Sequence, residues 1–355
     1  MPISTPASLC VTRAAAERRP HAPLAVAASL GACLLLTAAG SRAVGQVAPP
    51  AVGQPAAPAA AAKPSSERIN LTTSDDVRLE AWYYPVAKTD EQDRDQPPPA
   101  VVILLHELGG SHTSVEPLAR ELQAAGIAVV APDLRGHGAA ATAEAKPLKA
   151  ADFAAMAVTT GGRLRHQSSG RGDVETVRDW IKTRAEKGDL DMTRLVVVGC
   201  GVGAAVAATW TVADAAWPDI ATGAQGGDVR GLVLVSPAWT TRGFSIAPAL
   251  NAEPVRRRIP VLVIGGGNDA DAVKIYEQFK RQRPDGWSEK RAGQESVTQA
   301  EKLAEGRLPS LYLRQFDTAL SGDRLAASVP KDRRSGAYPA AMIEAFVGAV
   351  TAAER

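Results

Sequence analysis

Five short runs that are apolar on both faces constrain this chain more than any other feature: Ala100 to Leu105, Ile127 to Ala131, Leu195 to Val198, Leu232 to Val235 and Val261 to Ile264. Runs of that length rich in Val, Ile and Leu belong to parallel strands covered on both sides. Between and after them lie stretches with helical spacing, Val115 to Ala125, Val174 to Lys187, Gly203 to Ala215, Ala272 to Arg281 and Tyr338 to Ala352. Strand and helix in alternation predict an α/β fold, a doubly wound, mostly parallel sheet with helices on both faces. Arg68 to Thr72 and the alternating Val77 to Val86 predict an antiparallel hairpin at its start. The last strand is expected at Leu311 to Phe316. Ligand and catalytic groups of such sheets sit at the C-terminal ends of the strands.

The N-terminal part obeys other rules. Arg18 and Arg19 precede an apolar run, Ala22 to Gly40, and then Ser41-Arg42-Ala43. This pattern is that of a secretory signal peptide ending near residue 43. An uncleaved membrane anchor and a lipoprotein acceptor at Cys33 are the alternatives, and each places the main domain outside the cytoplasm, periplasmic or secreted. Residues 44–66 are dominated by Ala, Pro and Gly with almost no charge, a composition that cannot bury enough surface to offset ordering, so a tether is expected there. One domain remains, 67–355. The formal charge of +2 is concentrated in residues 1–44, which carry +3. A domain near neutrality has no electrostatic footprint for nucleic acid. Of three cysteines only Cys200 lies in the domain, too few for a disulfide framework or a Cys-rich metal site. HExxH and GxxxxGK[ST] are both missing, and no cofactor is indicated.

The strand ends carry the chemistry. They read Leu104-Leu105-His106-Glu107-Leu108-Gly109-Gly110-Ser111, Pro132-Asp133-Leu134-Arg135-Gly136-His137-Gly138, and Val198-Gly199-Cys200-Gly201-Val202-Gly203 at the opening of a helix. Together these resemble the α/β-hydrolase superfamily, most closely its exported esterase, lipase and serine-aminopeptidase branches, over residues 67–355. The resemblance implies a nucleophile on a strand-to-helix elbow, GxSxG, flanked by small residues. Gly201 stands at the nucleophile position of that frame. In the other frame Cys200 is the nucleophile, with Val198 and Val202 at the small-residue positions. The acid implied by the family falls at Asp269, which also suits a helix cap. The family's histidine is implied in Asp317 to Arg324, where Ser321-Gly322 stands roughly in place of a His-Gly pair; His21, His106, His112, His137 and His166 all precede Asp269. His106 and His137 match bracing positions of the family, and His112 and His166 read as surface residues. The oxyanion hole is implied at the backbone N–H groups of Leu108 and Val202. Glu107 replaces the usual glycine beside His106.

Loss of nucleophile or base removes about 10⁶-fold of rate in a serine hydrolase. The expectation is therefore a triad-lacking member with a binding or scaffolding role toward a small molecule or an envelope protein. The alternative is an active hydrolase of ester or amide bonds using Cys200, or a serine such as Ser111 or Ser236. Arg256-Arg257-Arg258 could face an acidic partner or be solvated, and the polar segment Gln282 to Pro309 reads as a surface excursion.

Overall fold

The computed structural model describes residues 65–86, 97–138, 147–158, 172–217, 226–284, 286–299, 308–330 and 337–352. The expected leader at 1–43 and nearly all of the tether at 44–66 lie outside the described residues, as does His166. Among the described residues no helix is long and apolar enough to cross a membrane.

The first half of the domain runs β1 (Glu67–Thr72), β2 (Arg78–Tyr84), β3 (Ala100–Leu105), α1 (His112–Ala124), β4 (Ala128–Pro132), α2 (Ala150–Ala157), α3 (Asp173–Ala185), β5 (Asp191–Cys200), α4 (Val202–Ala215) and β6 (Val229–Val235). A small ribbon, β7 (Thr240–Thr241) with β8 (Phe244–Ser245), then α5 (Ala247–Asn251) and a π-helical turn at Pro254–Arg258 lead to β9 (Val261–Gly266). The chain ends with α6 (Ala270–Gln282), β10 (Trp287–Lys290), β11 (Val297–Gln299), β12 (Leu311–Phe316), α7 (Gly322–Ala326) and α8 (Pro339–Ala352).

Ten strands form one sheet in the order β1-β2-β4-β3-β5-β6-β9-β12-β10-β11. β1 with β2, β2 with β4, and β10 with β11 are antiparallel; every other neighbour is parallel. The fully apolar runs sit in the middle because each of their faces meets a separate core. Val101, Ile103 and Leu105 of β3, Leu195 and Val197 of β5, and Val261 and Val263 of β9 pack with residues of α3, α4 and α6. Val102 and Leu104, Val196, Val198 and Cys200, and Leu262 and Ile264 point the other way, onto α1, α7 and α8. A side chain alternates faces at each residue, and each Val or Leu so withdrawn from water contributes roughly 1.5–3 kcal/mol.

The segment Gln282 to Pro309 differs from its sequence reading. β10 pairs with β12 in parallel and β11 closes the ladder beyond it, so two strands extend the sheet. The signal was weak because β10 reads WSEK, with only Ser288 buried on one side and Trp287 partly so. α2 had no counterpart in the sequence reading either. The arginine run occupies the π-helical turn, where Arg258 pairs with Glu253 at the surface and the Arg256 carbonyl accepts from Arg283.

Candidate functional site

β5 ends in the centre of the sheet and turns sharply into α4. Gly201 makes that turn with φ 54° and ψ −117°, a region in which residues with a Cβ are strained by about 1–3 kcal/mol and glycine is not. Its neighbours at both ends must also be glycines. A Cβ on Gly199 would overlap the Gly203 carbonyl, and one on Gly203 would lie 2.5 Å from the His106 carbonyl oxygen. The close approach of β3, β5 and α4 thus explains the spacing Gly199-x-Gly201-x-Gly203. Cys200 lies one residue before the turn with its side chain in the core shared with α1, α7 and α8. It is fully buried, and burial pushes its thiol well above the ordinary range. A thiol held protonated is a weak nucleophile.

Glu107 occupies the space in front of Gly201. A Cβ built on Gly201 would come within 2.9 Å of the Glu107 Cβ, and one built on Gly322 would overlap the Glu107 carboxylate. Gly322, the first residue of α7, also has positive φ, 55°. The two glycines therefore face the same side chain. Behind them Asp323, 2% exposed, accepts the Glu107 backbone N–H at 2.8 Å and the Ser114 hydroxyl. Burial raises the Asp323 carboxyl. Burial, and then the charge of Asp323, raise that of Glu107. Asp323 was not singled out in the sequence; its signal was a carboxylate directly after a Ser-Gly pair standing near a histidine position.

Asp269 begins α6, and its Oδ1 accepts the Ala272 N–H at 2.9 Å. Its other oxygen, Oδ2, is buried without a completed hydrogen bond, and so is the hydroxyl of Ser236 at the end of β6. Burial raises the Asp269 carboxyl, opposed by the Ala272 N–H and the neighbouring Ser236 hydroxyl. Ser236 holds φ 43°, unusual for a residue with a side chain. Both border a cleft of about 450 Å³ at the C-terminal ends of β6, β9 and β12, with Asp271, Thr318 and Ser321 on its other walls. Ser111, the other serine considered, caps α1 and bonds Thr113.

The described histidines are engaged elsewhere. His106 is buried between the Glu107 carbonyl (Nδ1, 2.8 Å) and the Leu134 N–H (Nε2, 3.1 Å), a pairing that puts its proton on Nδ1. Burial pulls its pKa down to about 4. His137 packs edge-on against it at 4.8 Å and bonds the Arg135 carbonyl. His112, expected at the surface, is stacked on Trp82 at 3.3 Å and bonded to Asp133 at 3.0 Å. Asp133 also accepts the His112 N–H, while Arg135 is clamped by Asp173 and Asp75. These contacts hold the two strand-end turns together and bring no imidazole to Gly201 or Asp269. Among the described residues the N–H groups of Leu108 and Val202 have no acceptor. Among the described residues no group of three His, Cys, Asp or Glu could hold a metal ion. What the elbow offers is two backbone donors beside a carboxyl-filled gap, with neither a nucleophilic side chain nor a described imidazole at its centre.

The sequence matches the model of the alpha/beta hydrolase family over residues 102–350. Among solved structures, the esterase Pf2001 of Pyrococcus furiosus is similar at 17% identity, with 81% of this chain and 91% of that chain covered and a TM-score of 0.46. A thermostable carboxyl esterase from Bacillus coagulans is similar at 11% identity over 81% of this chain and 99% of that one, with a TM-score of 0.48. Fungal esterases from Rhizomucor miehei match at 13% identity over 82% and 84%, with a TM-score of 0.47. No curated protein matches.

Proposed function

The chain belongs to the alpha/beta hydrolase family, and from that premise we propose that it is a member without the covalent hydrolytic step, an exported protein whose strand-end surface binds rather than cleaves. One observation carries this reading: Gly201 and Gly322 lack the side chains that a nucleophile and a base would need, and Glu107 fills the gap between them. In the family's scheme the nucleophile is activated by an adjacent base. Here the elbow carries a hydrogen, and the carboxyl beside it is raised by burial and by Asp323. Without nucleophile or base, a site of this kind retains roughly 10³–10⁴-fold over water from the hole and binding alone.

Asp269 keeps the acid's position and serves as the cap of α6. Ser321, on the wall of the cleft with Asp269, and Gly322, against Glu107, are the two residues nearest to a vacated histidine position. The Leu108 and Val202 N–H groups remain available to a carbonyl or anion, with Glu107 close by to disfavour a charged one. The Cys200 alternative has less support, since the thiol is buried and held protonated.

The test is turnover of a short-chain p-nitrophenyl ester panel by the purified protein beside Cys200→Ala. The expected result is equal, blank-level rates for both. Turnover that disappears in Cys200→Ala would establish a cysteine-dependent hydrolase and sink the proposal. The geometry also defines a rebuilding experiment. Glu107→Gly with Gly201→Ser and a histidine at 321 or 322 should recover measurable esterase activity, whereas Gly201→Ser alone stays inactive. Export is tested separately, by N-terminal sequencing of the protein from envelope and medium fractions: a start near residue 44 supports it, and an intact Met1 in the cytosol refutes it.

A further inference from the structure

A second cavity, of about 370 Å³, lies away from the elbow, between the C-terminal ends of β10 and β12 and the start of α8. Its charged lining is Lys290, Arg291, Arg314 and Asp317, and Phe316 and Met342 supply an apolar wall. The cations differ in how they are compensated. Arg291 pairs with Glu277 and lies 3.5 Å from Glu289. Arg314 is half-buried and donates only to neutral oxygens: the Leu313 carbonyl at 2.7 Å, the Ser288 carbonyl at 3.2 Å and the Ser288 hydroxyl at 3.2 Å. Among the described residues no carboxylate pairs with it, and none pairs with the exposed Lys290. Arg135 and Arg178, similarly withdrawn from water, each have two carboxylates. Among the described lining residues Asp317 is the single acidic one, and it is exposed.

A guanidinium out of water without a counter-charge is unfavourable unless neutral acceptors take its donors, as four carbonyls do for Arg283, or an anion completes it. Burial accordingly draws the Arg314 pKa downward. Its three contacts leave part of its five-donor fork unused, and a planar fork matches the two oxygens of a carboxylate or phosphate. We propose that this pocket is a binding site for a small organic oxyanion, a carboxylate or phosphate monoester, with its head on Arg314 and Lys290 and its apolar part against Phe316 and Met342. The site is built on β10, which joins the sheet outside β12, and it is independent of whether the elbow is catalytic.

Calorimetric titration of the full chain with octanoate, hexyl phosphate and inorganic phosphate tests it, with Lys290→Glu and Arg314→Gln beside the wild type. The expected result is saturable binding of at least one organic anion, with inorganic phosphate weaker. Arg314→Gln should weaken it by about tenfold or more, as loss of a charge-assisted fork does, and Lys290→Glu by about fivefold. The tighter of octanoate and hexyl phosphate identifies the head group. Should Arg314→Gln fail to fold, Lys290→Glu, an exposed position, decides alone. Absence of saturable binding, affinity unchanged in the folded variants, or inorganic phosphate binding as tightly as the organic anions would each overturn the proposal.

Discussion

Gly201 and Gly322 share one neighbour, Glu107, and that contact governs what either position can tolerate. Gly201→Ala meets two penalties, positive φ and a Cβ 2.9 Å from the Glu107 Cβ, and should lower stability by about 2–4 kcal/mol in denaturant unfolding. In a Glu107→Gly background the second penalty is gone, so the same substitution should cost about 1 kcal/mol less. Additive effects in that double-mutant cycle would show that Glu107 does not fill the gap. Another residue makes a pH prediction. Asp214, in the last turn of α4, is buried, with Oδ1 unpartnered and a pKa raised to about 6, chiefly by burial. The folded state therefore binds its proton more tightly than the unfolded one, where the carboxyl titrates near 3.8. Its contribution to stability is highest below that value and falls by on the order of 2 kcal/mol as pH rises to about 6. Unfolding midpoints measured from pH 3.5 to 7 should show this decline, and Asp214→Asn should flatten it.

Among the elements, α6 is fastened at both ends by side chains whose roles were legible to different degrees. Asp269 caps its N-terminus, and Asp269→Ala should lose about 1 kcal/mol while Asp269→Asn, which keeps an acceptor, loses less. Either outcome is read by thermal unfolding. At the other end Arg283, 6% exposed, gathers the carbonyls of Val255, Arg256, Ile259 and Ser310. Arg283→Met leaves these oxygens unpaired in the interior and should destabilise by about 3 kcal/mol or more. That role was invisible in the sequence, because four carbonyls from two stretches of chain meet the Arg283 guanidinium only once the π-helical turn, α6 and the start of β12 have packed. β10 and β11 were missed for a similar reason. Their residues form strands because β12 offers a free edge, not because WSEK or VTQ has a strong pattern of its own.

At the scale of the whole molecule, the described residues fall within one compact unit, residues 61–355. A chain beginning at residue 65 should accordingly unfold in one transition with the midpoint of the full chain; a lower midpoint would mean that the preceding residues support the fold. The alternation of strand and helix along the chain, the two-faced burial of the central five strands and the Gly-x-Gly-x-Gly turn were all legible in the sequence, since they depend on local periodicity and on backbone clearances that only glycine meets. The residues able to serve as nucleophile, acid or base could also be counted there, including the lack of any histidine after Asp269. Which of them meet could not. The placement of Glu107 against two glycines separated by 121 positions in chain number, the buried Asp323 bonded to its N–H, and Arg314 at an added strand, without a carboxylate partner among the described residues, all depend on contacts between distant segments. Periodicity is a property of neighbours along the chain, and the sequence determines it alone; desolvation and charge pairing are properties of neighbours in space, and only the tertiary structure decides them.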